Sequence, residues 1–195
     1  MRTRKLCCCA LLASLAACGG PPGGDADPPP ASLSFRHSGV GKLAPGSYRA
    51  VGDIDPRANG EQPGDWAYGT TSAHSPPRVL VESVRMHADG RNGFDGATVF
   101  LPGGLRAGQT LPFREPCEAS PGCASMTIEM GLYPNVGYPE VHCTLTSGSV
   151  HVTHASGERV RGSFTGTAAC DGFQVGRMQV ERGSFDVPMV DLSAD

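Results

Sequence analysis

Lysine is nearly missing from this 195-residue chain: only Lys5 and Lys42 occur, and aromatic residues make up 6% of the whole. Three of the basic residues, Arg2, Arg4 and Lys5, crowd the start. Beyond them thirteen basic residues face nineteen acidic ones, so no basic field exists to hold nucleic acid, and no nucleic-acid-binding motif is present. The longest apolar run, Leu6 to Ala17, falls short of the roughly twenty residues a membrane-spanning helix needs. No C-x2-C pair occurs, which removes the usual ligand spacing of a closed zinc site. No G-x-S-x-G occurs either, and no serine or cysteine stands in a pattern that supplies a base to activate it. These absences point away from an enzyme and leave no cofactor indicated.

What is present begins with the leader. A cationic start, a short apolar core and small residues before a break mark a secretory signal. The quartet Leu15-Ala16-Ala17-Cys18 resembles the lipobox of bacterial lipoproteins. That resemblance implies cleavage before Cys18, acylation of its thiol and amine, and a membrane partner reached through those chains. Two or three acyl chains hold a domain on a bilayer where one does not. Gly19 stands where an Asp would mark inner-membrane retention, so the resemblance implies the outer membrane. The division expected is a signal peptide over 1–17, a lipid-anchored Pro/Gly-rich tether over 18–31, a β domain over 32–190 and a short tail over 191–195. The tether, GGPPGGDADPPPA after Cys18, has almost nothing to bury and reads as disordered or semi-extended.

Four cysteines follow the lipidated one: Cys117, Cys123, Cys143 and Cys170. An even count in an exported chain reads as two disulfides. Cys117 and Cys123 flank a Pro-Gly turn, and closing that loop leaves Cys143 with Cys170. In a plain meander those two sit out of reach of each other, so a pairing of Cys123 with Cys170 stays open, with the local pairing favoured.

The domain itself alternates. Met126, Ile128, Met130 and Leu132 interleave with Ser125, Thr127 and Glu129; Val141, Cys143 and Leu145 interleave with His142 and Thr144. Period two with Gly- and Pro-rich turns predicts an all-β domain, an antiparallel β-sandwich or, alternatively, an open or closed β-barrel. Strands are expected at 32–37, 47–51, 78–88, 97–101, 109–113 and 124–132. Further strands run from 141, with Ser147-Gly148 as a two-residue hairpin turn, Ser156-Gly157-Glu158 as the next, and a final strand pair or bulged strand over 173–187. Arg161-Gly162-Ser163-Phe164 recurs as Arg182-Gly183-Ser184-Phe185, each glycine suggesting a bulge or a close approach. The Val-Gly-Phe pattern of this last third resembles the C-terminal meander of small β-sandwich lipoproteins of uncharacterised function, which implies a fold and no activity.

Two sets of residues stand out as candidate sites. The segment Gly52 to Pro77 reads as a long polar loop, and such loops are often functional. Its acidic spacing matches no calcium loop, but it carries the only tryptophan, Trp66, and Tyr68, a pair suited either to anchoring a strand or to meeting a ligand. The second set depends on the Ser147-Gly148 turn: it makes His142 and His151 diagonal neighbours with Glu140 nearby, within reach of one zinc or copper ion. A solvated pair of histidines explains the same residues without a metal. The reading is a non-enzymatic binding module of the cell envelope, its partner a glycan, peptide or envelope protein. The alternative is a structural or assembly component of an envelope complex, with a metal-dependent enzyme behind both.

Overall fold

The computed structural model describes residues 28–54, 64–72, 77–88, 92–117, 122–133 and 137–191. The leader, Cys18 and most of the tether lie outside these residues, as does the tail beyond Asp191.

Among the described residues the regular structure is all strand: β1 (Ser32–His37), β2 (Gly46–Val51), β3 (Trp66–Ser72), β4 (Arg78–Met86), β5 (Phe94–Pro102), β6 (Thr110–Pro112), β7 (Ser125–Leu132), β8 (Val141–Ala155), β9 (Arg159–Asp171) and β10 (Gly176–Pro188). They form one antiparallel sheet in the order β2-β1-β10-β9-β8-β7-β5-β4-β3, with β6 paired to β8 beside this path. The two ends of the sheet come together. Ala67 N donates to Gly52 O at 2.9 Å, and Val190 N donates to Gly69 O at 2.7 Å, through short parallel bridges of β3 to the ends of β2 and β10. The result is a nearly closed sheet, the barrel form of the all-β architecture the alternation implies. The closure is also tied from inside: Tyr48 Oη on β2 hydrogen-bonds Ser83 Oγ on β4, on the far side of β3, at 2.9 Å.

The period-two pattern turns into burial as expected. Met126, Ile128 and Met130 point inward on β7, and Val141, Cys143 and Leu145 on β8. At the centre Phe164 packs between Phe35, Phe113 and Phe185, with ring centroids 6.2 to 6.5 Å from its own.

The sequence-level reading fails at two points, each for a physical reason. β3 lies inside the segment expected to be a loop. Its inward positions are Ala67 and Gly69, so no large apolar residue marks them; Gly69 is small because a Cβ there would stand 2.7 Å from Met189 Sδ. And Ser147-Gly148 does not turn the chain. β8 runs straight through it, with a one-residue register slip against β9 between Leu145 and Ser147. Gly148, at φ 109°, lies opposite Gly166, and a Cβ on Gly148 would sit 2.1 Å from Thr165 O. A pair of glycines across a bulge bends the sheet here, as closing a sheet requires.

Continuity of β8 also resolves the cysteines. The chain reverses only at Ser156–Glu158, where Ser156 Oγ accepts from Arg159 N at 3.0 Å. β9 therefore returns to place Cys170 directly opposite Cys143. The disulfides are Cys143–Cys170 and Cys117–Cys123. The incoming chain is held beside this turn, where Arg159 Nη2 donates to Pro29 O at 2.7 Å, and just past the end of β2, where Ala31 N donates to Asp53 Oδ1 at 3.0 Å.

Candidate functional site

The histidine pair is not brought together. Both residues lie on β8, nine positions apart, which is about 30 Å of extended strand. His142 Nδ1 is bound to Asp171 Oδ1 at 2.8 Å and His151 Nδ1 to Thr110 Oγ1 at 2.9 Å. Glu140 sits beside Gly131, to whose carbonyl its N–H donates at 3.3 Å. Among the described residues no three His, Cys, Asp or Glu side chains group in a way that could hold a metal ion. The diagonal depended on a hairpin turn that the bulge replaces.

Trp66 and Tyr68 are brought together, on the outer face of the sheet. Alternate residues of one strand share a face, so the two rings stack, with centroids 5.4 Å apart. Tyr68 is buried, and its hydroxyl donates to Glu82 Oε2 on β4. Burial first, then the Glu82 hydrogen bond and charge, push the Tyr68 phenol well above its ordinary value, so it stays a donor and fixes Glu82 in place.

The register carries this face further. Trp66 pairs with Val84, Val84 with Gly96, and Gly96 with Glu129, in one row across β3, β4, β5 and β7. The next row holds Tyr68, Glu82, Thr98 and Thr127. Where the first row reaches Gly96 a side chain is missing, and a hollow of about 150 Å³ opens. Trp66 and Val84 border it on one side and Glu129 on the other, with Phe94, Glu82 and Thr98 along its length. A Cβ on Gly96 would touch nothing closer than 3.8 Å. Its glycine therefore leaves room that a side chain would fill. Glu82, Gly96 and Glu129 carry no motif in the sequence; only the β3-β4-β5-β7 order, which passes over β6, aligns them.

Two other places draw attention. A cavity of about 630 Å³ opens near the β8–β9 turn between Thr70, Val79, Leu105, Val160 and Met189. Among the described residues its lining holds one charged side chain, Asp191, with mostly small and apolar residues around it. At the opposite end of the sheet lies a buried polar cluster. Asp95 accepts from Arg85 Nε at 3.1 Å, from Gly131 N at 2.8 Å, and pairs with His87 Nε2 at 2.8 Å. Burial pushes the Asp95 carboxyl up, but these hydrogen bonds and the Arg85 charge outweigh it and hold the group below the usual carboxylate range. Arg85 also lies over the Tyr48 ring, 5.2 Å from its centroid, and donates to Ser47 O at 2.9 Å. With every partner engaged in tying β2, β4, β5 and β7 together, this cluster acts as a structural plug.

No family model, no curated protein and no solved structure matches this chain.

Proposed function

We propose that this protein is a non-enzymatic binding module of a bacterial cell envelope, held on the outer membrane by acyl chains on Cys18 and presenting the Gly96 hollow to a ligand. The lipobox-like quartet and the Pro/Gly-rich tether support the anchor, and the two disulfides suit an exported domain. The observation that carries the binding reading is the hollow itself. It combines aromatic walls and carboxylates on four hydrogen-bonded strands, a rigid base of the kind that keeps a binding site in shape. Among the described residues its lining holds no His or Cys, the groups that most often activate or supply a nucleophile.

The test has two parts. Cys18→Ser should move the protein from the membrane fraction to the soluble fraction and abolish labelling by a palmitate analogue. Retention of the wild-type protein on isolated envelope fragments should drop with Gly96→Val, which fills the hollow. Membrane association that survives Cys18→Ser removes the anchor, and retention indifferent to Gly96→Val removes the site.

A second reading, a component of an envelope assembly, is favoured by one observation. Tyr138, Phe173 and Val175 are 73%, 72% and 76% exposed, all in the β7–β8 and β9–β10 connections, at the end of the sheet away from Pro29. Photocrosslinking from Phe173 to a single envelope protein, with none from Trp66, would favour it.

A further inference from the structure

We infer that the Gly96 hollow recognises an organic ammonium group, primary or quaternary, as the head of its ligand; this rests on the reading of that face as the binding site. Charge complementarity comes first. Glu82 and Glu129 reach the hollow from β4 and β7, and among the described residues neither pairs with a basic side chain. Glu82 accepts from the Tyr68 hydroxyl, a neutral donor. Two carboxylates with no countercharge repel an anion and attract a cation.

The remaining walls select which cation. Trp66 and Phe94 both border the hollow, and the negative face of an aromatic ring attracts ammonium groups, Trp most strongly. A divalent metal needs more oxygen ligands than two carboxylates from separate strands provide, and it gains nothing from indole or phenyl. A neutral sugar satisfies carboxylates through hydroxyl donors but leaves the net negative charge uncompensated. Size agrees: about 150 Å³ is below the range of pockets that swallow a whole drug-sized ligand, and it suits a head group whose remainder lies along the outer face. Thr98 and Thr127, on the row below, are placed to meet that remainder.

Trp66 is the only tryptophan in the chain, so its emission reads this site alone. The full-length protein in detergent would be titrated with tetramethylammonium chloride at constant ionic strength, against sodium chloride and methyl glucoside. Calorimetry in parallel would register binding that leaves emission unchanged. The expected result is saturable binding of tetramethylammonium only, weakened at least about tenfold by Glu129→Gln and lost in Gly96→Val. Both variants should keep the wild-type far-UV spectrum, which separates loss of binding from loss of fold. Absence of saturable binding by both methods, or affinity unchanged in both variants, overturns the proposal. Saturable methyl glucoside binding that Gly96→Val abolishes, with none of tetramethylammonium, overturns the ammonium assignment and leaves the binding face standing.

Discussion

Phe164 lies over Gly183 on the neighbouring strand, so closely that a Cβ on Gly183 would stand 2.3 Å from the ring. Its counterpart is inverted: Phe185 lies over Gly162, where a Cβ would stand 2.5 Å from Phe185 Cζ. The Arg-Gly-Ser-Phe repeat is thus two copies of one device, paired antiparallel so that each glycine receives the other copy's phenylalanine, with Ser163 opposite Ser184. The copies part at the arginines. Arg161 takes Asp186 Oδ1 at 2.9 Å, whereas Arg182 sits in a bulge at φ 52°. Gly183→Ala and Gly162→Ala should each destabilise by ~1–3 kcal/mol, the usual range for overpacking a filled core, while Ser163→Ala should change little. Thermal or urea unfolding measures this, and equal stability of all three variants would contradict the packing described.

The bulge at Gly148 supports a sharper expectation. Gly148→Ala places a Cβ against the Thr165 carbonyl in a backbone conformation L residues rarely adopt. It should destabilise more than Gly157→Ala, where the added carbon meets nothing within 4 Å.

The Cys143–Cys170 bridge closes a loop over a sequence separation of 27. Removing it as Cys143→Ser with Cys170→Ser should cost ~3 kcal/mol or more by the chain-entropy account. Opening Cys117–Cys123, at a separation of 6, should cost less. Comparison of urea midpoints tests the order, and peptide mapping of the oxidised protein tests the pairing directly.

How far all this was legible depends on what each feature rests on. The strands β7 and β8 declare themselves because large apolar and polar residues alternate. β3 hides because its inward residues, Ala67 and Gly69, are small, Gly69 to admit Met189. Ser147-Gly148 carries the same letters as a turn and is used as a bulge; that one change of role separates the histidine pair, and it brings Cys143 opposite Cys170, the pairing that the local Cys117–Cys123 loop already favoured. Trp66 and Tyr68 were visible as unusual residues in a polar stretch. Glu82, Gly96 and Glu129 were not, because their meeting is a matter of register between strands distant in sequence.

Acid should lower the stability of the protein in two steps. His37 is buried, and its Nδ1 has no hydrogen-bond partner among the described residues. Burial, then the Arg85 charge, holds its pKa below the ordinary histidine value of about 6.5. The unfolded chain therefore takes up this proton first, so the stability is complete above pH 6.5 and declines as the pH falls through that value. Asp95, held below the usual carboxylate range, contributes stability above its unfolded value of about 3.9 that is lost as the pH falls through its folded value. Urea midpoints from pH 7.5 to 3 should show both declines, and His37→Leu should remove the upper one alone. A single decline confined below pH 4.5 in the wild type would contradict the His37 assignment.

The last expectation sets stability against binding at one residue. Glycine weakens a strand interior because it is entropically costly and packs nothing, yet Gly96 sits mid-strand with space above it. Valine suits a pleated, half-buried surface, and the β-propensity scale spans about 1 kcal/mol. Gly96→Val should therefore unfold at a higher urea concentration than the wild type, by up to ~1 kcal/mol in stability, while losing the ligand. A residue kept small only to help packing would behave in the opposite way: Val would clash and the variant would be less stable. A more stable, non-binding variant would identify Gly96 as a position where room for a ligand outweighs the stability that a side chain would add.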